Sequence, residues 1–346
     1  MKCWKGIIWA LFVVAVSAGC ALIDENTNDC ETDYYLDYEL RLVTNMTTEL
    51  ETQVSTQVEL TAVADVLKEH LSDIFTDYAH DVDLSFYDVQ ADSIRLHHET
   101  HIMDNNQHSY TLYIPVHKYM HVAVANLKSS DVILTQDDRC HTARLEHPVN
   151  DVNNVIESQR TGLFTARLPM DIKEGVDQTF DVKLYMANCS SALTLDTLGS
   201  HIKDFKVYAS GFANGFNLAD STYYFHFTPQ VKADEVPVND GRFVCFCNVN
   251  FPSKDVPGTK SVIDSDDPFI TPAADEALWK YTIYATLQDG TITETILGVK
   301  LPLLPGEFKL IRGKVQPDGG IVPREPYVGA SVTLQWNDGA AWDVDF

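Results

Sequence analysis

The sequence predicts a mainly β protein of two tandem antiparallel β-sandwich domains, with one helix in the first. Three observations carry this. Short segments alternate apolar and polar residues along most of the chain. Asp-Gly pairs punctuate the segments of the second half. One stretch alone, from about Thr61 to Thr76, repeats its apolar residues at helical spacing. Strands that are apolar on one face must cover it, and two stacked sheets do so. A length of 346 residues suits two domains of ordinary size.

In chain order, the first element is a leader, residues 1–19. Lys2 and Lys5 give it a positive start, Ile7 to Val16 an apolar stretch, and Ser17, Ala18 and Gly19 a small-residue end, the layout of a signal peptide. The stretch is shorter than the roughly 20 apolar residues that cross a bilayer. Two readings of Cys20 stand. In one it is incidental to an ordinary cleaved signal. In the other, Ala18-Gly19-Cys20 resembles a bacterial lipobox, with cleavage after Gly19 and a diacylglycerol on the Cys20 sulfur, although Ser17 stands where leucine is usual. The second reading is carried forward, because two or more acyl chains anchor stably where one does not. Asp24, Glu25 and Asp29 follow closely, and acidic residues there resemble the export signal of surface lipoproteins in Bacteroidetes. Residues 20–33 then form a tether, and the chain is held to the membrane rather than embedded in it.

The strands follow. Tyr35 to Val43 (YLDYELRLV), Val82 to Val89 (VDLSFYDV), Tyr110 to Pro115 with HKYMHVAVANL after it, Phe180 to Met186, Tyr223 to Phe227 and Tyr281 to Leu287 all alternate, and SVTLQW and AAWDVDF close the chain. The expected helix carries Leu60, Val63, Leu67, Leu71, Ile74 and Phe75 on one face. Asp240-Gly241, Asp289-Gly290, Asp318-Gly319 and Asp338-Gly339 stand between extended runs, where glycine tolerates the positive φ of tight hairpins. The polar stretch Leu168 to Gln178 is taken as the domain boundary, giving domains at 34–172 and 173–346.

Composition excludes one partner class. There are 25 basic and 50 acidic residues, a net charge of −25, and loss of Lys2 and Lys5 with the leader lowers it by two, to −27. A nucleic-acid binder needs a basic surface, so no nucleic acid is expected. Beyond Cys3 and Cys20, the cysteines are Cys30, Cys140, Cys189, Cys245 and Cys247, an odd number that disulfides cannot exhaust. Cys245 and Cys247 share a face of the strand-like FVCFCNVNF, where a bond between them would be strained. Buried thiols acting as small hydrophobes are the favoured reading.

Histidines cluster at His97, His98, His101, His108, His117 and His121. Imidazole pairs bind metals, whereas a hairpin with surface histidines needs none. Asp264-Ser265-Asp266-Asp267 offers oxygens but lacks the glycine and distal glutamate of a calcium loop. Neither cluster is assigned a metal, and no cofactor is expected. No GxSxG, HExxH, phosphate-binding or dinucleotide-binding motif occurs, and no catalytic residue is assigned. Tyr223, Tyr224, Trp279, Trp336 and Trp342 could line a sugar site, although core or strand-pair packing is the commoner use.

With these residues in view, the chain resembles the anchor-subunit lipoproteins of Bacteroidales type V pili, the fimbrial anchor family. The likeness lies in Cys30 leading into the strand Tyr35 to Val43, a helix ending in Ile74-Phe75, and the run Val82 to Asp88. It continues through Tyr110 to Pro115 with Tyr119 to Asn126, then Thr161-Gly162-Leu163-Phe164 with Val182 to Asn188, and the closing Ala330 to Trp336 and Trp342 to Phe346. It departs where Tyr87 intervenes, where no glycine follows in Val89 to Asp92, and where Ala125 replaces a glycine. The resemblance implies transthyretin-like β-sandwiches, a place on the outer membrane and cell surface, and a role in adhesion at the base of a fimbria. It implies pilus stalk subunits as partners, joined by β-strand addition, and a membrane reached through the lipid. Stalk subunits of such fibres lose their first strand to a protease, whereas an anchor keeps it, here Tyr35 to Val43. A tip or stalk subunit of the same fold, and a surface glycan-binding lipoprotein, are the alternatives.

Overall fold

Alternating strands need partners on both edges and cover on one or both faces, and the computed structural model provides both. It describes residues 36–43, 46–54, 60–76, 78–90, 93–103, 109–148, 155–226, 229–254 and 277–335. The chain runs through β1 (Leu36–Val43), α1 (Met46–Val54), α2 (Thr61–Ile74), β2 (Asp81–Asp88), β3 (Arg95–Ile102), β4 (Ser109–Leu112) and β5 (Lys118–Ala125). It continues with β6 (Ile133–Thr135), β7 (Arg144–Glu146), β8 (Val155–Glu157), β9 (Phe164–Asp171), β10 (Gln178–Met186), β11 (Cys189–Asp196), β12 (Ile202–Ser210) and β13 (Gly215–Asn217). The last elements are β14 (Thr222–Tyr224), β15 (Gln230–Lys232), β16 (Asp234–Val236), β17 (Phe243–Asn250), β18 (Trp279–Leu287), β19 (Ile292–Val299), β20 (Phe308–Val315), β21 (Ile321–Pro323) and β22 (Val328–Gln335).

The described strands make four sheets: seven strands in the order β3-β2-β5-β9-β10-β1-β4, four in the order β14-β13-β7-β6, five in the order β16-β17-β11-β20-β21, and six in the order β22-β19-β18-β12-β15-β8. The seven- and four-stranded sheets enclose Val122, Val124, Leu145 and Phe216, and the five- and six-stranded sheets enclose Leu193, Trp279, Ile283 and Ile311. A third core lies between these two sandwiches. There Leu67 and Leu71 of α2 meet Leu84, Phe86 and Leu184 of the seven-stranded sheet and Cys245, Cys247 and Leu310 of the five-stranded one. The two sandwiches are therefore joined by a shared apolar layer. In β2 every residue is buried. Val82, Leu84 and Phe86 serve the shared core, while on the other face Ser85 and Tyr87 donate to the Gln136 side-chain oxygen at 3.0 and 3.2 Å.

The fold is mainly β, as expected, and most pairings are antiparallel; among the described strands β1 with β10, β11 with β20, and β15 with β8 run parallel. One expectation is corrected. A second helix, α1, precedes the expected one. Its sequence, MTTELETQV, has too few apolar residues to signal an amphipathic helix; Leu50 is buried, Val54 packs against the shared core, and Glu51 pairs with Lys68 of α2. The Gln53 amide donates to the Phe308 carbonyl at 2.6 Å and its oxygen accepts from the Leu310 N–H at 2.9 Å, so one side chain takes the place of a strand on the β20 edge. The polar stretch at 172–177 joins two strands of one sheet. The chain leaves that sheet at Ala187-Asn188 and later returns β13 and β14 to the first sandwich. Of the two residues that marked the stretch, Gly175 lies in this hairpin turn and Pro169 in β9.

At the crossing, Asn188 is fully buried. Its amide nitrogen donates to the Gln159 side-chain oxygen (2.8 Å) and the Thr161 carbonyl (3.0 Å), its side-chain oxygen accepts from Leu163 N–H (3.2 Å), and its own carbonyl accepts from Gly306 N–H (2.9 Å). Beside it, a Cβ on Gly162 would stand 2.7 Å from the Phe75 ring, so only glycine lets this buried segment pass the end of α2. Three of the four Asp-Gly turns lie in the described residues, and Gly290 (φ +89°) and Gly319 (φ +84°) adopt the left-handed backbone expected of them.

Leu67 is fully buried in the layer that both sandwiches share. Leu67→Ala is expected to lower unfolding stability by about 2–5 kcal/mol, in one transition rather than two, as read by urea denaturation followed by fluorescence and circular dichroism.

Candidate functional site

The strand that the sequence marked as the retained first strand is β1. Leu36, Tyr38 and Leu40 point inward at 1, 0 and 4 % exposure, and Asp37 and Arg41 point out. It lies inside the sheet: eight residues pair in parallel with β10, Leu36 opposite Gln178 through Val43 opposite Tyr185, and four pair antiparallel with β4. Taking β1 away would bare the β10 edge along eight residues, a ready acceptor for another strand. The exposed pair Arg41–Asp181, at 3.5 Å, adds little to this hold.

Tyr38 secures the strand from inside. Its ring meets that of His121 edge-on, with centroids 5.4 Å apart, and His121 stacks on Phe86 at 4.3 Å. The Ser85 carbonyl lies 3.1 Å from His121 Nδ1 and can only accept, so Nδ1 carries the proton. Nε2 then accepts from the Tyr38 hydroxyl at 2.5 Å. Burial disfavours the imidazolium and brings the His121 pKa down to about 4. This link joins residues 83 positions apart, on strands separated by β9 and β10 in the sheet. No local pattern announces it; the only sign in sequence was a tyrosine at an inward position of the strand.

The other candidates disperse. His97 and His101 share one face of β3 and both pair with Glu99, at 2.5 and 2.8 Å, whereas His98 on the opposite face pairs with Asp83 at 2.8 Å. His117 lies 3.1 Å from Asp88. Among the described residues no group of three or more His, Cys, Asp or Glu is arranged to hold a metal ion. Cys140, Cys189, Cys245 and Cys247 are free and buried, and burial pushes the thiols of Cys245 and Cys247 up to about 12, so they pack as apolar groups. Trp279 is 1 % exposed and its Nε1–H donates to the Leu301 carbonyl, so it is a core residue. Tyr223 and Tyr224 are half-buried; Tyr223 donates to the Ala187 carbonyl at 2.6 Å. Cys20, Gly19, residues 1–33 as a whole, Cys30, His108, Asp264 to Asp267, Trp336 and Trp342 lie outside the described residues. Among the described residues no helix is long and apolar enough to cross a membrane.

Two outcomes follow from these contacts. Tyr38→Phe leaves His121 Nε2 without its donor and should cost about 1–3 kcal/mol, with the β1 amides exchanging faster than those of β18 in hydrogen exchange. His147, whose Nε2 accepts from Gln159 at 3.0 Å, is also brought down to about 4 by burial. Both histidines have folded pKa values below the ordinary 6.5, so between pH 6.5 and 4 the unfolded chain binds more protons and stability falls as pH falls. The loss should reach roughly 3 kcal/mol per histidine, and His147→Gln should flatten the stability profile over that window by one such share, read by denaturation at stepped pH.

Comparison with known proteins places this architecture. The family model of fimbrillin-A associated anchor proteins Mfa1 and Mfa2 matches residues 27–229. No curated protein sequence matches the chain. Among solved structures, a candidate adhesin from Bacteroides ovatus is similar at 10% identity and a TM-score of 0.50, covering 88% of this chain and 96% of its own. The fimbrial anchor protein Mfa2 from Porphyromonas gingivalis is similar at 11% identity and a TM-score of 0.47, covering 87% of this chain and 98% of its own. The tip fimbrial protein Mfa3 from the same organism, with a C-terminal truncation, is similar at 11% identity and a TM-score of 0.39, covering 87% and 98%. The family match extends over more than half of the sequence and includes β1, both helices and the crossing at Asn188, so the chain belongs to the fimbrillin-A associated anchor protein family.

Proposed function

We propose that this chain is the cell-surface end of a fimbria: a lipid on Cys20 holds it to the outer membrane, β1 stays in place, and polymerisation stops at it. Its role is structural and adhesive rather than catalytic. The observation that carries the reading is the seating of β1, zipped to β10 over eight residues, closed by β4 and pinned through Tyr38 to His121. Subunits that polymerise by strand addition need an open slot, and one that keeps its own strand there accepts no neighbour at that place. Contact with the stalk subunit must then use another edge. The lipid gives the chain a means of staying at the bilayer when the fibre is pulled.

Cys20→Ser, expressed in place of the native chain, is expected to shed assembled fimbriae into the medium with the subunit on them. The measurement is the ratio of cell-bound to released fimbriae on immunoblot, together with the N-terminal mass of the surface form. Fimbriae that remain cell-bound, or a surface form lacking β1, would defeat the anchor reading and favour a stalk or tip subunit.

A further inference from the structure

β9 and β10 are consecutive strands of one hairpin, yet they pair only at Thr165 with Tyr185 and Phe164 with Met186. Beyond that point Ala166 to Asp171 pair with β5 alone, and Gln178 to Leu184 with β1 alone. At the turn end a side chain stands in for the ladder: the Gln178 amide donates to the Asp171 carbonyl at 3.1 Å and its oxygen accepts from the Lys173 N–H at 2.8 Å. Between these two closures lie facing backbone edges of about six residues each, in the middle of a seven-stranded sheet. Alternate residues of each strand turn their N–H and C=O groups into this gap. Pro169 lies within this stretch as the sixth of the eight residues of β9, a residue that strands accept only where an N–H is not called upon, as at an edge.

A groove of about 660 Å³ opens over the gap. Arg167 and Leu168 line it from β9, Asp181, Lys183 and Tyr185 from β10, and Tyr223 walls it on the side of β14. Tyr185 is 58 % exposed there, an aromatic surface in contact with water at the mouth of a groove. Two cations against one carboxylate leave this groove locally positive on a chain whose net charge is −25.

Resting on the anchor reading above, we propose that the β9–β10 gap is the strand-docking site of this subunit, and that its occupant is an extended, acidic or neutral segment of about six residues from a fimbrial stalk subunit. The segment enters from the groove face. It takes its ladder chiefly from β10, since β9 is one N–H short at Pro169. Neighbouring strands lie about 4.8 Å apart, so β9 and β10 part to about 10 Å to admit it, and the six residues 172–177 are long enough to follow. Gln178 is the contact that gives way. Arg167 and Lys183 favour a segment of opposite charge, and Tyr185 packs on its outward side chains. The docking site thus differs from the slot that β1 fills, which lets the chain hold a neighbour without surrendering its own first strand.

The test is hydrogen–deuterium exchange by mass spectrometry on the full chain, with and without the purified stalk subunit of the same fimbria. Amides within 166–171 and 178–184 are expected to slow at least tenfold on binding. Arg167→Glu with Lys183→Glu, both exposed, should weaken binding at least tenfold, and more at low salt than at high. A stalk subunit that binds but protects only the open edges of β3 or β22, or that binds the double variant as it binds wild type, overturns this site and leaves the anchor reading standing. A stalk subunit that does not bind at all removes the anchor reading, and the site with it.

Discussion

Asn188 holds the two halves of this molecule in register. It stands where the chain leaves one sheet for the next, fully buried, with both ends of its side-chain amide and its own carbonyl engaged by residues 159, 161, 163 and 306. A buried amide without those partners would be costly, so the segment 159–163 and the turn before β20 are obliged to lie where they do. Gln159 extends the same network to His147 and, through its own N–H, to the Val249 carbonyl of β17. The shared core around α2 then fills the space between the sheets, and β13 and β14 return across the divide. Two sandwiches linked by a single flexible strand of chain would swivel. These are linked by a buried polar network, a common apolar layer and a second passage of the chain, and a fibre subunit so built keeps its orientation under load.

The strands were legible because alternation is a local property. β1, β2, β5, β10 and β18 each lie where period-two runs place them, and α2 coincides with the run of Leu60, Val63, Leu67 and Leu71. What was not legible depends on distant parts of the chain. β11, CSSALTLD, is buried on both faces and reads as neither alternation nor an apolar run, because Ser190, Ser191 and Thr194 satisfy their hydroxyls inside the core. α1 is helical by docking on β20 rather than by pattern. The stretch read as the domain boundary joins β9 to β10 within one sheet, and a hairpin turn and a linker share the same residue types. The histidines looked like one group because six of them fall close together in sequence, but the pleat of β3 sends His98 away from His97 and His101, and His121 belongs to the interior.

The candidate site divides in the same way. The first strand could be named from its alternation. Its parallel partner β10 begins 135 residues beyond the end of β1 and could not, and neither could the bond from Tyr38 to a histidine on β5. The thiols, by contrast, behave as composition indicated: an odd number of cysteines with no paired spacing, and the four described ones are free and buried.

The direction in which β1 runs has a mechanical consequence. On the proposed anchoring, tension from the leading end would enter at Leu36, on a strand gripped on both flanks, in parallel by β10 and in antiparallel sense by β4. Such a pull loads the backbone ladder in shear, so several bonds must fail together, whereas a pull across the sheet would peel them singly. Rupture under force is governed by the unfolding barrier rather than by equilibrium stability. A strand mounted this way makes a slow-releasing grip out of hydrogen bonds that are individually weak.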